Sequence, residues 1–243
     1  MAKKQIEYEN KSYEISYNII NQEKNPTIVF LHGWASYKEL MQKPFEPYLK
    51  DFRHIYIDMP GFGKSSNKEI LTTKKYAKII DIFLNHFKTK SKKFIIVGHS
   101  FGGKVGAMLS ADMLVLLSSA GIVEKKDIKT RLMIKIAKLF NMLGLSKITK
   151  LLRSKDVDKM SENMYKTFKN IVDEDFSNIF KNYKKPTVIF WGKDDKATSI
   201  DSGKQIHKLI KNSNFYEYEA DHYFFIKHSK DIANKIKEQY DKI

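Results

Sequence analysis

Cysteine is absent from this chain of 243 residues. The protein can therefore form no disulfide bond, no thiolate metal site and no cysteine nucleophile. No apolar run approaches the roughly 18 residues that a membrane-spanning helix needs. The basic N-terminus is followed by no apolar stretch, so we predict no secretory signal peptide. Together these absences favour a cytoplasmic protein.

Acidic residues are few relative to basic ones. The 44 lysines and arginines oppose 28 aspartates and glutamates, which gives a formal net charge of +16. The lysines are spread over nearly every segment, and no recognition motif or arginine-rich cluster accompanies them. We therefore expect a solvated lysine surface and no nucleic-acid partner. An acidic carrier protein or an anionic membrane surface is the alternative partner that this charge would attract.

The apolar pattern predicts strands that alternate with helices. Residues 5–20 alternate polar and apolar side chains, which is typical of an antiparallel hairpin at the edge of a sheet. Short buried strands are predicted at residues 27–31, 54–58, 94–97, 113–117, 187–191 and 215–219. Helices are predicted near residues 38–50, 73–88, 200–211 and 229–241. This order predicts an α/β fold with a mostly parallel sheet flanked by helices.

Residues 122–183 interrupt this alternation because their pattern is helical throughout. We predict a helical cap that is inserted into a core formed by residues 1–121 and 184–243. Such an insertion would lie over the carboxyl edge of the sheet, where parallel sheets bind ligands. Leu139 and Met164 stand on apolar stripes of the cap and are predicted to line an acyl pocket. The basic helix that carries Leu139 could instead bind a membrane surface.

One stretch combines a buried strand, a tight turn and the start of a helix. Residues 94–103 read Phe-Ile-Ile-Val-Gly-His-Ser-Phe-Gly-Gly, so Ser100 stands in a Gly-x-Ser-x-Gly pattern. Such a turn holds the serine in a strained backbone conformation and lifts its Oγ above the sheet edge. The N-terminus of the following helix favours the negative charge that develops there. The pattern therefore predicts a nucleophilic serine.

A serine nucleophile needs a base and an acid that orients this base. In this architecture the acid and the histidine follow the serine in that order. The turn 192–195 carries two aspartates directly after a predicted strand, and His222 follows the next strand. Because both loops leave the carboxyl ends of strands, they can meet Ser100. The sequence predicts a triad of serine, aspartate and histidine.

With these motifs the chain resembles the α/β-hydrolase superfamily over nearly its whole length. The matching segments occur in the order of that superfamily: His32-Gly33-Trp34, Asp58-Met59-Pro60-Gly61-Phe62-Gly63-Lys64-Ser65, the serine elbow, the Gly-x-x-Asp turn and the late histidine. The resemblance implies an α/β-hydrolase fold with a helical cap insertion. It also implies catalysis without a cofactor or a metal.

The resemblance assigns roles to individual residues. Ser100 would be the nucleophile and His222 the general base. Asp195 is preferred to Asp194 as the orienting acid, because the superfamily places the acid three residues after the turn glycine. The oxyanion hole would consist of the backbone N–H groups of Trp34 and Phe101.

Three further positions are interpreted from the same resemblance. His32 is expected to brace the oxyanion loop. His99, at the variable position of the elbow, is expected to be mainly structural, and a substrate contact is the alternative. The Asp58–Ser65 motif is expected to shape the pocket without reacting. Two departures from the superfamily pattern lie near the triad. Asp221 replaces a glycine that often precedes the histidine, and Thr198-Ser199 stands where a proline is common, which we predict to be a minor loop change.

Within the superfamily, the chain is similar to small serine esterases and to the C–C bond hydrolases of 2-hydroxy-6-oxo-dienoates. The C–C hydrolases usually carry asparagine before the nucleophile and an arginine in the cap, whereas this chain has His99 and a mostly lysine cap. We therefore expect a hydrolase that cleaves the carboxylic ester or thioester of a small acyl substrate. C–C bond hydrolysis is the alternative. A non-catalytic binding module is a third possibility, which the intact Ser, Asp and His disfavour.

Overall fold

The computed structural model describes residues 1–88, 93–123 and 160–243. The described strands are β1 (Ala2–Tyr8), β2 (Lys11–Ile20), β3 (Thr27–Leu31), β4 (Arg53–Ile57), β5 (Phe94–His99), β6 (Met113–Leu117), β7 (Thr187–Gly192) and β8 (Ser213–Tyr218). The described helices are α1 (Lys38–Phe45), α2 (Thr73–Lys88), α3 (Phe101–Ala107), α4 (Glu162–Ile171), α5 (Ser177–Asn182), α6 (Ile200–Leu209) and α7 (Phe225–Tyr240).

The strands form one eight-stranded sheet in the order β1-β2-β4-β3-β5-β6-β7-β8. β1 and β2 make the predicted edge hairpin, whose turn residues Glu9 and Asn10 have φ values of 50° and 57°. Positive φ at both positions matches the twist of the two strands. β2 pairs antiparallel with β4, and the remaining neighbours pair in parallel. The prediction of an α/β fold with a mostly parallel sheet is confirmed.

Alternate side chains of the buried strands enter two different cores. Ile28 and Phe30 of β3 pack in the core that α1 and α7 cover. Val29 and Leu31 pack in the core that α2, α3 and α6 cover. Because helices cover both faces, the carboxyl ends of the strands are the accessible place for a ligand.

Two helices have unusual bounds: α3 is shorter than an ordinary crossover helix, and α7 begins earlier than the sequence pattern predicts. The short spacing between the elbow and β6 predicts a clipped helix, and α3 has only seven residues. α7 begins at Phe225, four residues before the predicted start. The reason is that Phe225 stacks on Phe45 of α1, with ring centroids 6.2 Å apart, which extends the apolar face of α7.

The predicted cap is described only in its last part, which contains α4 and α5. Leu139 lies outside the described residues. Helix α4 is held on the core by side chains that bond the backbone of the segment before α2. Thr167 Oγ1 accepts the N–H of Leu71 at 2.9 Å, and Asn163 Nδ2 donates to the carbonyl of Asn67 at 3.0 Å.

None of the helices in the three described ranges is long and apolar enough to cross a membrane.

Candidate active site

Ser100 lies at the tip of the turn between β5 and α3. Its φ of 50° and ψ of −115° are strained for a residue with a side chain. The turn needs glycine at positions 98 and 102, which have no Cβ. A Cβ at Gly98 would collide with the backbone of Gly102, and a Cβ at Gly102 would collide with the carbonyl of Leu31. The N–H of Ser100 donates to the carbonyl of Leu117 at 3.0 Å. The elbow is therefore fixed at the carboxyl edge of the sheet.

The loop after β3 passes directly against this elbow. A Cβ at Gly33 would lie 3.2 Å from Ser100 Cβ, which is a tight contact, so glycine suits this close backbone approach. The N–H of Trp34 follows in the same loop. The N–H of Phe101 belongs to the first turn of α3, where helix N–H groups have no intrahelical acceptor. Both predicted oxyanion donors therefore lie in backbone that borders Ser100.

His32 braces the oxyanion loop, as the sequence predicts. Its Nε2 accepts the N–H of Met59 at 3.0 Å, so the proton sits on Nδ1, which donates to the carbonyl of Gly33 at 2.7 Å. Burial lowers the pKa of His32 to about 4, and the ring is neutral at pH 7. A neutral imidazole thus joins the loop after β4 to the loop after β3.

Asp58 organises the loop that follows β4. Its buried carboxylate accepts the backbone N–H groups of Lys38 and Lys64 at 2.8 and 3.0 Å, and Lys38 Nζ lies 2.7 Å from Oδ2. Burial alone would raise the pKa of Asp58, but the Lys38 ammonium and these hydrogen bonds hold it below its ordinary value. A Cβ at Gly63 would collide with the same carboxylate. The carboxylate of Asp58 is thus engaged in contacts that hold the loop in place.

The loops after β7 and β8 are pressed together at Gly192. A Cβ at this position would collide with the carbonyl of Ala220, and the N–H of Asp194 donates to the same carbonyl at 3.0 Å. This contact brings Asp195 Oδ2 to 2.6 Å from His222 Nδ1. Asp194 is exposed, so Asp195 is the aspartate of this turn that meets the histidine.

The carboxylate of Asp195 is buried and bonded at both oxygens. Oδ1 accepts the N–H groups of Ala197 and Thr198 at 2.8 and 2.9 Å, and Oδ2 accepts from His222 and from Thr198 Oγ1 at 2.9 Å. Burial alone would raise the pKa of Asp195, but the bonds to His222 and Thr198 hold it at about 2. An ionised Asp195 keeps the proton of His222 on Nδ1 and leaves Nε2 free to accept one.

Thr198 makes contacts with Asp195 that the sequence pattern did not lead us to expect. The change from proline to Thr198-Ser199 is predicted to be minor, but in the structure Thr198 bonds both carboxylate oxygens of Asp195. A proline at position 198 would lack the N–H that Asp195 Oδ1 accepts, and it would lack the hydroxyl that reaches Oδ2. An aspartate followed by a threonine three residues later is the signal of a side-chain-stabilised turn, and it could have identified this contact.

His222 lies beside the elbow. Its ring centroid is 4.5 Å from that of His99, the residue that directly precedes Ser100. The carboxylate of Asp221 is turned to the N–H of Tyr223, which it accepts at 2.9 Å. The three residues of the predicted triad therefore lie in one cluster at the carboxyl edge of the sheet.

The position of His99 agrees with a mainly structural role and argues against the alternative of a substrate contact. The side chain is 1% exposed, and Nε2 lies 3.0 Å from the backbone carbonyl of His222. The ring is enclosed by the rings of His222, Tyr223 and Phe225. His99 is therefore part of the wall behind the triad.

The oxyanion loop carries an aromatic wall centred on Trp34. The Trp34 ring lies 4.7 Å from Phe62, 5.7 Å from Phe101 and 5.3 Å from Phe168 of α4. Met164, which is predicted to line the acyl pocket, is buried one turn earlier in α4, against the loop after β4. There its Sδ lies 3.6 Å from Asn67 Nδ2. Phe168 is thus the α4 side chain that borders the oxyanion loop.

Other histidines of the described ranges make ordinary packing contacts. His54 bonds the hydroxyl of Tyr56 and the carbonyl of Leu49, and His207 bonds the hydroxyl of Ser213. No group of three histidine, aspartate or glutamate side chains able to hold a metal occurs in the part of the chain that the structure describes.

The fold, the elbow and the aspartate–histidine pair define a class of protein: the chain has the α/β-hydrolase fold. A family model described as alpha/beta hydrolase fold matches residues 26–140. The chain is 26% identical over 225 residues to the uncharacterized hydrolase YugF of Bacillus subtilis, and the match covers 78% of this chain and 80% of that protein.

Two solved structures show the same fold over nearly the full chain. The esterase EaEST from Exiguobacterium antarcticum superposes with a TM-score of 0.75 at 18% identity, covering 98% of this chain and 99% of that one. The meta-cleavage product hydrolase CumD from Pseudomonas fluorescens gives a TM-score of 0.72 at 16% identity, covering 98% and 97%. At these identities the likeness establishes a common fold.

Proposed function

We propose that the protein is a serine hydrolase that cleaves the carboxylic ester or thioester of a small acyl substrate. The observation that carries this proposal is the 2.6 Å hydrogen bond between Asp195 Oδ2 and His222 Nδ1. The His222 ring lies 4.5 Å from that of His99, the residue before Ser100. The backbone of Ser100 has the strained conformation of a nucleophile elbow. An acid, a base and a hydroxyl in this arrangement are suited to nucleophilic catalysis.

In the first half of the proposed reaction, Ser100 Oγ attacks the carbonyl carbon while His222 Nε2 takes its proton. The carbonyl oxygen becomes an oxyanion. His222 then returns the proton to the leaving alcohol or thiol as the bond to the acyl carbon breaks. The acyl group remains as an ester on Ser100.

Water completes the cycle. His222 Nε2 takes a proton from water as its oxygen adds to the acyl carbon, and a second oxyanion forms. The proton is then delivered to Ser100 Oγ as the carboxylic acid leaves. These steps use the side chains of this chain and water, and no cofactor enters them.

Charge in the two oxyanions would be stabilised by the N–H groups of Trp34 and Phe101. In comparable sites, one such donor contributes about 10²–10³-fold to kcat. The positive imidazole that forms in each step would be stabilised by Asp195, since its pKa of about 2 keeps it ionised throughout the neutral range. The backbone N–H groups at the elbow would thus stabilise the negative oxyanion, and the buried carboxylate would stabilise the positive imidazole.

The substrate class is supported by the aromatic wall beside Ser100. Trp34 and Phe168 are half-buried and offer an apolar surface next to the oxyanion loop, which suits an acyl group with an apolar chain. EaEST, an esterase by name, has the same fold. CumD, a meta-cleavage product hydrolase, also has it, so C–C bond hydrolysis is the competing reaction.

The test compares kcat and KM on three substrates: a short-chain p-nitrophenyl ester, an acyl thioester and a 2-hydroxy-6-oxo-dienoate. Ser100→Ala and His222→Ala should each lower kcat by at least about 10³-fold. Asp195→Asn should be severely impaired, whereas the adjacent Asp194→Asn should resemble the wild type. A much higher kcat/KM on the dienoate would favour C–C cleavage, and near wild-type turnover by Ser100→Ala would refute the nucleophile.

A further inference from the structure

We propose that His99 is a positioning residue that holds the catalytic base by its own backbone. The Nε2–H of His99 donates to the carbonyl of His222, and the His99 ring fills the space between His222 and the oxyanion loop. This inference rests on the proposed function, because it assigns His99 a task in the work of Ser100 and His222.

The hydrogen bond fixes the chemical state of His99. A carbonyl oxygen can only accept, so the 3.0 Å contact with the His222 carbonyl requires the proton on His99 Nε2. Nδ1 therefore carries a lone pair, and it has no hydrogen-bond partner among the described residues. Burial, together with the nearby His222, lowers the pKa of His99 to about 3. The ring is neutral, with one tautomer, throughout the range in which a histidine base works.

The ring of His99 touches each part of the proposed machinery. His99 directly precedes Ser100 in the chain, and the centroid of its ring lies 4.5 Å from that of His222. On the oxyanion side, a Cβ at Gly33 would lie 3.0 Å from His99 Nδ1. The His99 side chain therefore lies between the proposed base and the oxyanion loop, next to the nucleophile in the chain.

The sheet order explains why such a tie is needed. The elbow follows β5, but His222 follows β8, and β6 and β7 lie between them. The loop after β8 must cross the ends of two strands before His222 reaches Ser100. Its contact with Gly192 fixes the loop to β7, whereas the His99–His222 bond fixes it directly to β5.

The same geometry argues against a substrate contact. Nε2 is already engaged by the His222 carbonyl, Nδ1 is buried, and the side chain as a whole is 1% exposed. His99 thus acts through its bond to His222 and does not form part of the pocket surface.

Two variants of equal length separate the hydrogen bond from the volume of the ring. His99→Gln supplies an N–H near the position of Nε2, and His99→Met supplies the volume without a donor. A misplacement of the base by about 1 Å can cost on the order of 10²-fold in rate. We expect His99→Met to lower kcat by roughly 10–100-fold with KM within about twofold, and His99→Gln to remain within about threefold of the wild type.

A second readout does not depend on turnover. The proton of His222 Nδ1, bonded to Asp195, gives a low-field NMR resonance that reports this hydrogen bond. It should persist in His99→Gln and shift or broaden in His99→Met. Urea unfolding of both variants checks that the proteins tested are folded.

The outcomes distinguish this inference from the proposed function. A wild-type protein that hydrolyses no ester, thioester or dienoate contradicts the proposed function. An active wild type with both variants unchanged contradicts the positioning role of His99. Equal losses of kcat in His99→Gln and His99→Met contradict the role of the hydrogen bond. A raised KM with unchanged kcat in His99→Met would show that His99 contacts substrate.

Discussion

Lys104 Nζ lies 3.0 Å from Glu174 Oε2, and this ion pair joins the helix behind Ser100 to the connection between α4 and α5. Lys104 is 2% exposed, and its Nζ also donates to the carbonyl of Ile171 at 2.5 Å. The hydroxyl of Thr73 donates to the same oxygen of Glu174. Burial lowers the pKa of Lys104, and Glu174 opposes this shift. The end of the cap is therefore anchored on the core by a buried charge.

Glu174→Gln should destabilise the protein because it leaves the Lys104 ammonium buried without its counter-charge. We expect a loss of about 1–3 kcal/mol in the free energy of unfolding, less than for a fully buried pair because the Glu174 side chain is partly exposed. Urea denaturation measures the change. Glu219→Gln at the exposed Lys193–Glu219 pair is the matched control and should change stability by less than about 1 kcal/mol. Equal losses at the two pairs would contradict the anchoring role.

Thr198→Val removes a hydroxyl from Asp195 Oδ2 but keeps the backbone N–H that Oδ1 accepts. The orienting carboxylate then loses one of its four contacts, so kcat should fall by roughly 3–10-fold, in line with one hydrogen bond of about 1 kcal/mol. Steady-state kinetics on an ester measures this. Ser199→Ala is the neighbouring control: Ser199 caps α6 by accepting the N–H of Ser202, so it should lower stability and leave kcat unchanged. Wild-type kcat in Thr198→Val would exclude a part for the hydroxyl.

Acid should destabilise the protein through its buried neutral histidines. The folded pKa of His32 is about 4, whereas the unfolded value is about 6.5. Between these values the unfolded chain binds a proton that the native protein does not, so the free energy of unfolding decreases as pH falls from about 6.5 towards 4. Each such histidine contributes up to about 1.4 kcal/mol per pH unit near pH 5.

His32→Gln should therefore reduce the slope of stability against pH by about that amount near pH 5. Denaturant unfolding at several pH values measures the slope. His207→Gln, at an exposed histidine, is the control and should leave the slope close to that of the wild type. An unchanged slope in His32→Gln would show that this ring is not held neutral by burial.

Phe168 and Met164 lie one turn apart in α4 and should behave differently when truncated. Phe168 contacts Trp34 beside the oxyanion loop, so Phe168→Ala should widen the acyl pocket and shift the preferred p-nitrophenyl ester to a bulkier or longer chain. Met164 packs against Asn67 and Gly61 of the loop after β4. Met164→Ala should cost about 2–4 kcal/mol in stability with no shift in chain preference. The chain-length profile of kcat/KM decides between them, and a shift in Met164→Ala alone would reverse the assignment.

The sequence predicts the sheet and the clustering of the catalytic residues because both follow from local pattern and topology. Apolar runs bounded by glycine locate the strands, and residues at the carboxyl ends of parallel strands must share one edge. The choice between Asp194 and Asp195 needed the superfamily spacing. The structure adds the physical reason: the N–H of Asp194 bonds the Ala220 carbonyl, so its neighbour faces His222.

Contacts between distant loops were beyond the sequence pattern. The bond from His99 to His222 joins residues 123 positions apart, and nothing in either local sequence indicates it. The earlier start of α7 depends on the packing of Phe225 against Phe45, which is likewise tertiary. Thr198 is the exception, because its spacing from Asp195 is a local turn signal.

The role of Ser100 as the nucleophile is tested most directly by peptide mapping after treatment with a fluorophosphonate probe, since the probe forms a covalent bond only with an activated serine. In the wild-type protein we expect a single modified peptide, the one that contains Ser100. Ser100→Ala should show no modification, and His222→Ala should react at least about 10³-fold more slowly. A folded wild-type protein that stays unmodified at Ser100, or that is modified at another serine, would contradict the central claim.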